Sequence, residues 1–169
     1  LTATVVEFNT GAAGNPLTAA NPVTELTNAV ITVLSSGHAV APTVIAFPES
    51  VEGELERHEG MLVRIDTPLT ASQNFFQGRY GQVTLAAGAR LVKPTNLHRA
   101  GSVEALALAD DNARRRIILD DSTSLQNPNP IPYIGDDNPL RAGDTLPGLT
   151  GVIDYGLATN DNQGLADYR

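Results

Sequence analysis

The chain has 169 residues and a formal charge of −8, with 19 Asp and Glu against 11 Lys and Arg. That length predicts one domain, or one and part of another, and the acidity excludes a molecule that binds polyanions over its whole surface. Cysteine is absent, which excludes disulfides, thiolate metal sites and a cysteine nucleophile; no apolar run reaches the ~18 residues of a membrane-spanning helix. With 15 Gly and 11 Pro between short β-like runs, the chain reads as all-β.

Residues 1–8 (LTATVVEF) read as a strand that begins at the first residue, as in a piece of something longer. A Gly/Asn/Pro/Ala loop over 9–22 follows, then two short strands over 24–27 and 29–34. Residues 40–47, with Pro42, read as an extended linker. Residues 48–60 (PESVEGELERHEG) are the one predicted helix, short and centred on 49–59. Pro48 suits its first turn, Glu49 and Glu52 its N-terminus, and Gly60 its C-terminus. Val51 and Leu55, at i and i+4, would dock on the sheet. Its five glutamates read as a solvated face rather than an acid site.

The organising stretch is 59–85. Met61, Val63 and Ile65 share one parity and Leu62 and Arg64 the other, the period of a strand. Pro68 punctuates it; extended character resumes at 69–72. A loop with Phe75 and Phe76 leads into a second strand over 79–85. Residues 90–92 read as another short strand, 103–109 as a helical turn or two, and 117–119 as a strand ended by Asp120 and Asp121. Residues 127–133 (NPNPIPY) must be irregular. Residues 145–155 read as a bent strand with kinks at Gly148 and Gly151. The tail ends on Tyr168 and Arg169 as another strand would begin. Residues 4–8 (TVVEF) echo 151–155 (GVIDY), which suggests two modules of similar plan: 1–47 as terminal strands of a preceding module plus linker, and 48–169 as a second module.

Five ordered pieces, 55–63 (LERHEGMLV), 78–85 (GRYGQVTL), 116–121 (RIILDD), 127–133 (NPNPIPY) and 140–145 with 148–152 (LRAGDT, GLTGV), carry a resemblance. Together they resemble the OB-fold-like accessory region ahead of the catalytic domain in secreted bacterial nucleases of the endonuclease/exonuclease/phosphatase superfamily. The resemblance implies small OB-like barrels of short strands and a secreted or cell-surface bacterial location. It implies a downstream nuclease domain as partner and a divalent metal, Mg or Ca, in that parent enzyme. The catalytic segments of those nucleases do not occur here, so this chain alone is expected to hold no cofactor and to cleave nothing. His38, His58 and His98 have no partner arrangement for acid–base work.

OB folds bind single strands through a basic groove and aromatic side chains on which bases stack. The candidates for weak, single-stranded nucleic-acid binding are Arg64, Phe75, Phe76, Arg79, Tyr80, Arg90 and Lys93, the last being the only lysine. Each has a structural alternative: Phe75 and Phe76 as caps on a barrel end, Tyr80 half-buried in the sheet, Arg64 as a solvent-face residue. Arg114 to Arg116 read as neutralised by the flanking aspartates Asp110, Asp111, Asp120 and Asp121. Oxygen-rich turns at Asp120 and Asp121, at Asp136 and Asp137 with Asp144, and at 160–162 with Asp167 fit no EF-hand spacing and read as solvated. The competing function is a structural β-module that docks on a neighbouring domain or on copies of itself.

Overall fold

The computed structural model describes residues 1–11, 15–123, 125–135, 139–157 and 166–169. It is β-rich, with strand residues outnumbering helical ones among the described residues. The centre is the stretch singled out by its alternation. β4 (Leu62–Ile65) buries Val63 and Ile65 and turns Arg64 outward. It lies in a three-stranded sheet between β3 (Thr43–Ile45), parallel to it, and β9 (Leu149–Val152), antiparallel. The turn at Asp66–Pro68 hands the chain to β5 (Leu69–Gln73), the next strand of a four-stranded sheet. There β6 (Val83–Ala87) pairs with β5 and with β7 (Arg116–Leu119), and β8 (Thr145–Leu146) pairs with the other edge of β5. Ile65, Leu69, Leu85 and Ile117 are at most 1% exposed and form the centre of the core with Val63 and Val83.

Gly148 connects β8 to β9 where the two sheets meet. A Cβ there would stand 2.5 Å from the Ile65 carbonyl oxygen, so only glycine lets the backbones approach this closely. β10 (Tyr155–Leu157) and β11 (Ala166–Tyr168) form a two-stranded ladder, continued by a reciprocal pair of backbone bonds between Asp154 and Arg169 at 2.8 and 2.9 Å. Tyr155 and Tyr168 meet edge to face at 4.9 Å and join the core.

The first residues form a separate antiparallel ribbon, β1 (Thr2–Phe8) with β2 (Val23–Val30). The loop expected between them holds a short helix, α1 (Pro16–Ala20), started by Pro16 and capped by the Asn15 side chain. The ribbon touches the body at its base: Val23 packs on the core, and the Asn21 amide lies 3.2 Å from the Tyr155 hydroxyl.

Several local expectations are overturned. One continuous strand, β2, replaces the pair expected over 24–34, and residues 31–34 lie outside any sheet. The expected linker over 40–47 supplies β3, with Ile45 and Phe47 buried. The helix expected near 49–59 is a 3₁₀ turn, Glu54–His58, after Gly53 in a left-handed conformation. Leu55 docks as expected, but Val51 is 69% exposed. The main helix is instead α3 (Val103–Arg114), capped by Ser102. Residues 77–80 form a helical turn, α2 (Gln77–Tyr80), so the strand expected from 79 starts at Val83. No strand forms over 90–92.

Glu49, grouped above with solvated glutamates, is 4% exposed and accepts the Leu55 N–H at 2.7 Å. Burial pushes its carboxyl above the ordinary 4.5, against the lowering effect of that bond. A carboxyl raised on folding contributes stability that is full below 4.5 and is lost as pH rises through the raised value. Glu49→Gln is therefore expected to remove part of this decline. Urea midpoints of variant and parent should converge below pH 4.5 and separate in favour of the variant above it. Gly148→Ala should lower unfolding stability by about 1–3 kcal/mol, the usual cost of overpacking, in the same titration.

Candidate nucleic-acid interface

The loop from β5 into α2 presents a run of rings. Phe75 is 77% exposed and meets Phe76 edge to face at 5.0 Å; Phe76 lies 5.8 Å from Tyr80. The Arg79 guanidinium sits 5.3 Å from the centre of the Tyr80 ring, within cation–π range. The loop is held from beneath. Asn74 donates to the Leu140 carbonyl, Gly81 ends α2 at positive φ, and the Tyr133 hydroxyl donates to the Gly81 carbonyl at 2.7 Å. Burial raises the Tyr133 hydroxyl well above its ordinary value of 10, so it stays a donor. A Cβ on Gly81 would collide with the Asp121 carboxylate, which packs against this turn.

Four of the seven candidates, Phe75, Phe76, Arg79 and Tyr80, are therefore brought together, on a helical turn rather than along a strand. Phe75 caps no barrel end, because its ring is in solvent; Phe76 and Tyr80 are half-buried. The other three stand differently. Arg64 faces solvent from β4 and is clamped by Asp66 at 2.8 and 3.2 Å. Arg90 lies in a loop and donates to the Ser72 carbonyl, three residues before Phe75. Lys93 precedes a short 3₁₀ turn, Pro94–Asn96.

The densest basic run is committed to structure. Arg114 pairs with Asp110, and Arg115 with Asp111 at 3.0 Å. Arg115 also donates to the Ala87 carbonyl at 3.1 Å. Arg116 pairs with Asp167 across to β11, not with Asp120 or Asp121 as expected. Asp120 accepts from the Gln82 amide at 2.6 Å and from the Ser122 N–H, and Asp121 accepts from the Thr123 N–H. Both act as turn acceptors. Among the described residues no cluster of three metal-ligating groups occurs. Asp136, Asp137 and 160–162 lie outside the described residues.

Two features were hidden from sequence reasoning. A groove of about 1260 Å³ runs between β7 and β9, floored by Val63, Ile65 and Ile117 and rimmed by charged side chains. Its walls come from strands 30 residues apart in the chain, and no local pattern shows that they meet. The second is a serine–histidine contact, Ser35 Oγ to His38 Nε2 at 2.7 Å, on an exposed segment. It has no carboxylate partner among the described residues.

Because the Phe75 ring is in solvent, Phe75→Ala is expected to change unfolding stability by no more than about 0.5 kcal/mol. Tyr133→Phe, which leaves the Gly81 carbonyl without its donor, should cost about 1–3 kcal/mol. Paired urea titrations would separate surface ring from structural hydroxyl. No protein-family model matches the chain, and no curated protein or solved structure does so either.

Proposed function

We propose that the chain is a non-catalytic binding module that holds single-stranded nucleic acid weakly on the Phe75–Phe76–Tyr80 platform. On this reading it is an OB-like unit of a secreted nuclease and positions the strand for a separate metal-dependent phosphodiesterase domain. The observation that carries the reading is the exposed Phe75 ring, backed by Phe76 and flanked by a guanidinium on Tyr80. Rings in that setting offer a base a π-face, worth about 1–3 kcal/mol per base. The charge distribution supports it. All eleven Lys and Arg lie at or after Arg57, while the six acidic residues before it are all glutamate. Arg79, Arg90 and Lys93 make no ion pair among the described residues, so their charge is available to phosphate.

A second reading is favoured by a different observation. The β1–β2 ribbon and the segment after it expose Val5, Leu26, Val30, Ile31, Val33 and Leu34, each more than half accessible. Such a surface suits a structural module that docks on a neighbouring domain or on another copy.

Fluorescence anisotropy with labelled single-stranded DNA over a salt series tests the first reading. Binding is expected at low salt, falling linearly on a log–log plot. Phe75→Ala should weaken it by about 5- to 100-fold, the equivalent of one stacked base, and Arg79→Ala should lower the salt slope. Absence of binding at low salt, or binding indifferent to Phe75, would remove it.

A further inference from the structure

The chain reverses its sign of charge over one stretch. From Thr67 to Val103 there is no Asp or Glu, yet Arg79, Arg90, Lys93 and Arg99 all lie there, in a molecule of charge −8. None of these four makes an ion pair among the described residues. The stretch also contains the ring platform, but no Phe, Tyr or Trp occurs between Tyr80 and Tyr133. Rings and cations are thus largely separate in the chain: Arg79 sits on Tyr80, whereas Arg90 and Lys93 come after β6.

The fold brings the second group back toward the first. After β6 the chain doubles back along β5. The Thr70 hydroxyl donates to the Gly88 carbonyl. Further along both segments, the Ser72 hydroxyl accepts the Leu91 N–H at 2.9 Å and the Ser72 carbonyl accepts from Arg90 Nε at 3.3 Å. Residues 88–91 therefore advance along β5 in the direction of the Phe75 loop. Ser72 and Phe75 are three residues apart, a Cα separation of at most about 10 Å. Arg115 fastens the segment from α3, donating to the carbonyls of Ala87 and Ala89. Arg90 is exposed and is held through Nε, while its two Nη nitrogens make no hydrogen bond among the described residues. That pair of nitrogens is a fork for phosphate oxygens.

We propose that a strand stacked on Phe75 continues over residues 88–93, where Arg90 and Lys93 bind its phosphates. This rests on the reading of Phe75, Phe76 and Tyr80 as a stacking platform and gives that platform a second half. Bases are held at one end of the site and the sugar–phosphate backbone at the other. The partner is a single strand of several nucleotides: a duplex keeps its bases in the stack and offers the rings none, and a dinucleotide reaches the rings alone.

Fluorescence anisotropy with a labelled thymidine dinucleotide and octanucleotide tests this, the longer one lying within the roughly 4–16 nucleotides that one OB fold covers. The octanucleotide should bind about tenfold or more tightly at low salt, the worth of one charge-assisted hydrogen bond. Lys93→Ala and Arg90→Ala should each flatten its salt slope by about 0.7, one phosphate contact on a single strand, and leave the dinucleotide unaffected. Phe75→Ala should weaken both lengths. Arg57→Ala removes a cation already paired with Glu54 and should leave the slope unchanged. Lys93 is exposed and its side chain makes no hydrogen bond among the described residues, so Lys93→Ala decides the outcome if Arg90→Ala disturbs the anchor at Ser72. Absence of binding at either length would overturn the platform and its extension together. Equal affinity for the two lengths, a slope indifferent to Lys93, or a slope that falls as much with Arg57→Ala would overturn the extension alone, with the platform still read from Phe75→Ala. So would displacement of the octanucleotide by polyglutamate of equal charge as readily as by unlabelled octanucleotide.

Discussion

The turn at Asp66–Pro68 is the constraint on which the rest of this molecule depends. It carries the chain from one sheet to the next while keeping the apolar parity of β4 and β5 on the inner side, so that Ile65 and Leu69 are both buried. Shifting the register by one residue would turn every such side chain outward. The turn is fixed on both sides. The Thr67 hydroxyl donates to the Phe47 carbonyl at 2.5 Å, and Gly148 presses against the Ile65 carbonyl from the other strand. Proline at 68 suits this place, because its missing N–H takes a ladder bond from no partner.

What was legible in the residues follows from locality. Met61 to Ile65, Val83 to Leu85 and Ile117 to Leu119 announce themselves by alternation and by β-branched side chains, and each lies in a strand apart from Met61, which just precedes one. β3 was hidden because it is three residues long, follows Pro42, and exists only through parallel pairing with a partner 20 residues on. α3 was underestimated because it buries only Ala105, leaving Val103 and Leu106 in solvent, so no strong apolar stripe marks it. The region 77–80 carries one β-former, Tyr80, and a glycine, yet the backbone bonds Tyr80 to Phe76 and Gly81 to Gln77 close it as a helical turn. There tertiary support from Tyr133 overrides propensity.

Phe75, Phe76, Arg79 and Tyr80 lie together in the fold, though on a different local structure from the strand expected over 79–85. Their rings converge because the turn winds, not because a strand presents alternate positions. Arg64 shows the opposite case. Alternation located it on the outer face, but only the structure reveals that Asp66, two residues on, already holds the guanidinium through Nε and Nη2. Glu49 belongs with it: nothing in a run of glutamates distinguishes the one that ties the backbone at Leu55. Side-chain pairing, unlike periodicity, is a property of the folded neighbourhood.

The stretch from Ile31 to Pro42 is largely exposed and outside any sheet, and no lysine or arginine occurs before Arg57. Accessible, unpaired backbone is where endoproteases cut first. Here an enzyme that demands a cation at the cleavage point finds no purchase, whereas one that accepts small aliphatic residues does. A nick there would separate the ribbon from the body while leaving β3 to β11 covalently whole.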